Sequence, residues 1–271
     1  MPIHICNTCG TSYPDTPEPP SACPICEDER QFVPRSGQAW QTPSHLAAGH
    51  ANAWRQLEAD LFEIHTQPAF AIGQRALLLR TPHGNVLWDC ISLLDDATEA
   101  LVRALGGITS IAISHPHYYT CMQNWARAFA CPVHLHAADA EWVMRSDGAI
   151  RHWHGETLEI APGITLLRLG GHFPGGTVLH WAGGAEGRGA LLSGDIVQVA
   201  ADLTKVSFLW SYPNMMPLWG ATVRRIADTL KPWPFERIYG AFPTRQVMAD
   251  GAGVVQRSAA RYIELLQGSQ A

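Results

Sequence analysis

Apolar residues recur along this chain with two different periods. "FAIGQRALLLRTPHGNVLWDCISLL" alternates or runs apolar on either side of "PHGN", the pattern of two strands joined by a tight turn, and "GITSIAIS" follows as a third, buried strand. Beyond it Met122, Trp125, Ala126 and Phe129 stand at i, i+3, i+4 and i+7, which predicts an amphipathic helix over residues 120–130. "CPVHLH" reads as a strand and "AADAEWVMRS" as a short helix. Four turn-punctuated strands come next, in "ETLEI", "ITLLRLGG", "GTVLHWAG" and "GALLSGD". Val223, Ile226, Ala227 and Leu230 mark a helix that ends before "KPWP"; "RIYGAF" is a last strand and "VVQRSAARYIELL" a final helix. Upstream, residues 34–60 read as a linker passing into a short helix, with Trp54, Leu57 and Leu61 at helical spacing. Strands and helices that alternate in this way predict a layered α/β domain.

Composition narrows the partners. Apolar residues make up 46% and charged residues 16% of the 271, enough to build a core and too little charge for a disordered chain. A formal net charge of -5 without a Lys/Arg cluster excludes a nucleic-acid footprint. The start, "MPIHICNTCG", has neither a basic nor an apolar stretch, so a cytoplasmic location is expected. No apolar run approaches the roughly 18 residues that span a bilayer, so no membrane role is expected either.

Seven cysteines include two close pairs, "CNTC" and "CPIC". Cys6, Cys9, Cys23 and Cys26 form C-x2-C twice, and a two-residue gap lets both thiolates of a pair turn toward one ion. The intervening "GTSYPDTPEPPSA" is rich in turn formers and offers little to pack, so a metal is expected to supply the folding energy of this segment. The stretch resembles zinc ribbons and also the rubredoxin-like modules of rubrerythrins, where Phe32 matches the aromatic residue after "CPxC". Zinc is the expected occupant, with iron as the alternative. A ribbon of this kind is also a candidate surface for protein docking.

The second set of donors is dispersed. His115 and His117 follow the "SIAIS" strand directly; residues i and i+2 of an extended chain point the same way, so both imidazoles can face one ion. His172 stands in the glycine-rich "GGHFPGG", and Asp195 ends "LLSGD". Three His and one Asp, each just past a predicted strand, make a mononuclear site for zinc or ferrous iron. Thirteen His make chance pairs expected, and "HLH" at His134–His136 is read as structural, "RHWH" as a surface turn.

In their order and spacing these residues resemble the metallo-β-lactamase superfamily, over roughly residues 62–268. The resemblance implies a four-layer αβ/βα sandwich at 62–271; the four-cysteine module at 1–36 and the linker with a short helix at 37–61 lie outside it. It implies His115, His117, His172 and Asp195 as metal ligands and Asp89 of "LWDC" as the residue that orients the metal loop. The family signature H-x-H-x-D-H departs here to Tyr119 and Thr120, and the family's last His, in a segment like "YPGHG", is replaced by Phe242 in "IYGAFP". One ion is therefore implied instead of two. The activity that follows is a metal-dependent hydrolase attacking an ester, thioester or lactone with metal-bound hydroxide, Tyr119 acting as hydrogen-bond donor or acid and Asp195 beside it. Trp210, Tyr212 and Phe242 are expected to line a pocket for a small, weakly polar substrate. Two alternatives stand: an iron oxygenase resembling the persulfide dioxygenases, through His115, His172 and Asp195, or a binding protein whose site has degenerated.

Overall fold

The computed structural model describes residues 2–268, which form two compact units dividing after Trp153. The first unit is built on a seven-stranded sheet. Four antiparallel strands, Ala51–Glu58, Leu61–Gln67, Arg75–Leu79 and Val86–Trp88, meander across one half. From Val86–Trp88 the sheet continues in parallel through Ser110–Ala112, Val133–His136 and Ile150–Trp153. Parallel neighbours require crossovers, which Asp96–Ala104 and Met122–Phe129 provide as helices. The carboxyl ends of such strands are where an open α/β sheet presents its functional loops. Asp89 and Ser114–His117 lie just past two of these ends.

The helix Met122–Phe129 buries Met122, Trp125 and Ala126 as its spacing requires, with Trp125 Nε1 donating to the Ile91 carbonyl at 3.1 Å. Residues 51–58 depart from expectation. Trp54, Leu57 and Leu61 belong to two strands of a hairpin, with Trp54 opposite Ile64. A bulge between Gln56 and Glu58 shifts the register and so imitates a helical spacing of apolar positions. The short helix is instead Pro43–Gly49, where Thr42 Oγ1 accepts from the His45 amide. "RHWH" is likewise no turn: Ile150–Trp153 is a parallel edge strand whose Trp153 meets His136 edge-on at 4.5 Å. His136 Nδ1 accepts from the Ala138 amide, capping the 3-10 turn that follows, a structural role as expected for "HLH".

Two buried charges cross adjacent strands of this sheet. Arg75 Nη1 donates to Glu63 Oε2 at 2.5 Å, with Arg75 fully enclosed and Glu63 nearly so. Each charge offsets part of the cost of burying the other.

The four cysteines sit on a three-stranded antiparallel sheet of His4–Cys6, Ser12–Tyr13 and Trp40–Gln41 in the same unit. The segment has more to pack than its Pro-rich sequence suggests. Ile5, Tyr13 and Ile25 are buried, and Tyr13 meets Trp40 edge-on at 5.0 Å. Ile5 joins Leu46, Leu93 and Cys121 in one apolar cluster, so the small sheet shares core with the large one.

The second unit carries a six-stranded sheet in the order Thr157–Ala161, Ile164–Arg168, Thr177–Trp181, Ala190–Gly194, Arg237–Gly240, Gln246–Val247. It is antiparallel except where Ala190–Gly194 runs beside Arg237–Gly240. Helices Gly220–Leu230 and Gly251–Leu266 pack their apolar faces on it, Val223, Ile226, Val255 and Ile263 meeting Leu191 and Ile238. Among the described residues no helix is long and apolar enough to cross a membrane.

Candidate metal centres

Cys6, Cys9, Cys23 and Cys26 converge on one point. Their sulfurs all lie within 4.8 Å of one another, Cys6 to Cys26 and Cys9 to Cys23 at 3.6 Å, and all four residues are buried. A tetrahedron with metal–sulfur bonds of about 2.3 Å has edges of about 3.8 Å, so this arrangement fits a four-thiolate ion. Left to themselves four thiols so close must share protons: sulfur neighbours drive Cys6 and Cys23 down and hold Cys9 and Cys26 up. The surroundings suit thiolates. Tyr13 Oη donates to Cys23 Sγ at 3.1 Å, and burial keeps that phenol protonated. The Gln38 amide lies 3.6 Å from Cys6 Sγ with its buried Nε2 lacking a partner. Turned end for end, the amide would donate to the sulfur.

In the first unit the histidine loop is fixed by its neighbours. Asp89, at φ +57, buries its carboxylate and accepts the Ser114 amide on Oδ1 at 2.8 Å. Aspartate tolerates this left-handed conformation better than most residues. Ser114 Oγ lies 2.8 Å from His115 Nδ1, so a metal held by this imidazole would be bound through Nε2. His115 and His117 are 1% and 2% exposed, their rings 5.1 Å apart at 73°. Tyr119 is buried just beyond, and burial, with Asp139 second, raises its pKa, so the phenol is a donor and not a base at neutral pH. Replacing Asp89 with alanine is expected to free the Ser114 amide and lower metal affinity at this loop roughly tenfold to a hundredfold, measurable by competition with a chromogenic chelator.

The second unit carries His172 and Asp195. His172 Nδ1 faces the carbonyls of Trp210 at 2.8 Å and Leu209 at 3.2 Å. A carbonyl has no proton to give, so Nδ1 carries the hydrogen and Nε2 the lone pair, the tautomer a metal ligand needs. The loop reaches this pose through Gly170 and Gly171, both at positive φ; a Cβ on Gly171 would come within 3.0 Å of Ile226 and Leu218. Asp195 Oδ1 accepts from Gln198 Nε2 at 2.9 Å, while its backbone carbonyl accepts the Tyr212 hydroxyl at 2.8 Å. Tyr212 and Trp210 thus act here as braces: one pins the Asp195 backbone, the other lends its carbonyl to His172 and packs against the core. Phe242 is half-buried in the turn after Arg237–Gly240.

Ser114, Gln198 and the Trp210 carbonyl escape a reading of the sequence. Nothing in their types or spacing marks them, because each acts through a partner brought close only by folding.

Solved structures show the same fold. The chain resembles the metallo-β-lactamase SMB-1, seen with mercaptoacetic acid (TM-score 0.55, 17% identity, 79% of this chain and 95% of that one), and the metallo-β-lactamase DIM-1 (0.59, 12%, 78% and 96%). TMB-1 aligns similarly (0.59, 11%, 80% and 99%). This is a metallo-β-lactamase fold preceded by a four-cysteine cluster. In sequence it is 49% identical over 268 residues to the uncharacterized protein YmaE of Bacillus subtilis (strain 168), spanning 98% of this chain and 97% of that protein, and it belongs to the same family. No family model matches the chain.

Proposed function

We propose that the chain is a metal-dependent hydrolase with a single active-site ion, held by His115, His117 and His172, and that it cleaves an ester, thioester or lactone of a small molecule. The observation that carries this reading is the donor chemistry. His115, His117 and His172 are each buried, and hydrogen bonds at Nδ1 direct Nε2 of His115 and His172 toward ligation. The fold supports it as the scaffold of hydrolases such as those named above. The reading keeps Asp195 beside the ion, as a ligand or an acceptor for the water's proton. Asp195 Oδ1 accepts from Gln198 Nε2 at 2.9 Å.

A bound divalent ion would supply a Lewis acid and a water whose pKa falls to about 7. The chain's own contribution is to hold the imidazoles aimed, and to place a protonated phenol, Tyr119, as donor to developing negative charge. Zinc suits the nitrogen donors and a hydrolytic role; the reading places the protein in the cytoplasm, with a small molecule as its partner.

The test is turnover on a panel of thioesters, lactones and aryl esters with zinc-loaded protein. Hydrolysis that falls at least about a hundredfold in His115→Ala, and about tenfold in Tyr119→Phe at unchanged KM, is the expected result. Absence of turnover across the panel with the ion in place would sink the hydrolase reading, and an unaltered Tyr119→Phe would remove that residue from it.

A further inference from the structure

The four-cysteine cluster and the histidine loop are far apart in sequence but meet at a joint. After the first knuckle Gly10 takes φ +80 and its carbonyl accepts from Ser92 Oγ at 2.9 Å. A Cβ there would stand 2.4 Å from that hydroxyl and 3.6 Å from Thr120 Cγ2, so the ribbon backbone lies directly on the larger sheet's loops. Two residues on, the Ser12 amide donates to the Thr120 carbonyl at 3.0 Å and Ser12 Oγ donates to the same oxygen at 2.8 Å. Ser12 Oγ also stands 3.4 Å from Gln123 Oε1.

Thr120 is an unusual residue to find so held. Its φ is +35, a conformation that a β-branched residue adopts only where its surroundings impose it. It ends the loop that begins at Ser114, and His115 and His117 lie between the two. One end of this loop is tied to the sheet through Asp89, and the other is tied to the ribbon through Ser12. Ser12 in turn is placed by the small sheet, where it faces Ile5, and by the neighbouring Tyr13, whose hydroxyl donates to Cys23 Sγ.

We propose that the four-cysteine metal site is the positioning device of the histidine loop. An ion among the cysteines fixes the strand Ser12–Tyr13, Ser12 holds Thr120 in its left-handed conformation, and the loop then presents His115 and His117. The proposal rests on the reading of those two residues as metal ligands. It makes filling of the histidine site depend on filling of the cysteine site. Linkage is reciprocal, so an ion at the histidines strengthens the ribbon's hold by the same factor. A four-thiolate site binds so tightly that the same factor leaves it full.

The test compares wild type, Cys23→Ser/Cys26→Ser, His115→Ala/His117→Ala and Ser12→Ala, each loaded with zinc and dialysed. Zinc per chain is measured together with amide hydrogen exchange in peptides covering 114–121 and, as a control on folding, 51–67. The cysteine variant is expected to lose both ions and the histidine variant one. Ser12→Ala should keep its ribbon ion, bind zinc at the histidines roughly tenfold more weakly, and exchange faster across 114–121 with 51–67 unchanged. Wild-type exchange across 114–121 in Ser12→Ala overturns the proposal. If the cysteine variant loses protection at 51–67 as well, it has unfolded, and Ser12→Ala alone decides. Wild type carrying one ion, lost with the cysteines, would refute the histidine site itself; the exchange data would still rule on whether the ribbon holds the loop.

Discussion

Cys9→Ser is expected to empty the cysteine site, and with it the histidine site, and to lower the thermal midpoint by more than about 10 °C. The reason lies in the burial of all four sulfurs within 4.8 Å of one another. Without an ion the three remaining thiols crowd a pocket lined by Tyr13 and Trp40, and a structural metal that ties a small sheet together contributes far more than that sheet's few apolar contacts. Differential scanning fluorimetry with and without a strong chelator checks it. The chelator should reproduce the drop in wild type and do nothing further to Cys9→Ser. A wild-type midpoint that ignores a chelator shown to strip the metal would mean that the shared core around Ile5 and Leu46 carries the small sheet unaided.

Arg75→Met is expected to be the most damaging single change away from the metal centres, at about 3–5 kcal/mol, or roughly 10 °C in midpoint. It strands the Glu63 carboxylate, 3% exposed, on the large sheet's penultimate strand. Glu63→Gln together with Arg75→Met removes both charges, and the double variant should recover most of the loss, since a buried ion pair is often no better than a neutral replacement. Denaturant unfolding of the two single variants and the double variant measures this. A double variant as unstable as the sum of the singles would show that the pair's geometry, and not the stranded charge, is what the sheet depends on.

Much of the fold is legible in local pattern. The strand Arg75–Leu79 announces itself as a short apolar run buried at every position, and the helix Met122–Phe129 by burial that repeats with the helical period. The metal ligands of the ribbon are equally plain, since C-x2-C spacing encodes the geometry of chelation within a few residues. His115 and His117 share that advantage. What stays hidden is set by partners distant in sequence. Trp54 and Leu57 read as helical because the bulge at Gln56–Glu58 breaks the two-residue period, and only pairing with Leu61–Gln67 reveals the strand. Ser12 carries no signal at all; its importance comes from a carbonyl more than a hundred residues away.

The strand Trp40–Gln41 has a consequence for how this protein can be taken apart. His4–Cys6 lies in the middle of the small sheet, with Ser12–Tyr13 on one side and Trp40–Gln41 on the other. A cut at residue 36 would therefore open a raw edge beside Ile5, ready to pair with any extended chain nearby. The ribbon is not a cassette that recombination could lift out and graft elsewhere. It is stitched into its host on both borders, so neither border offers a clean place to part the two.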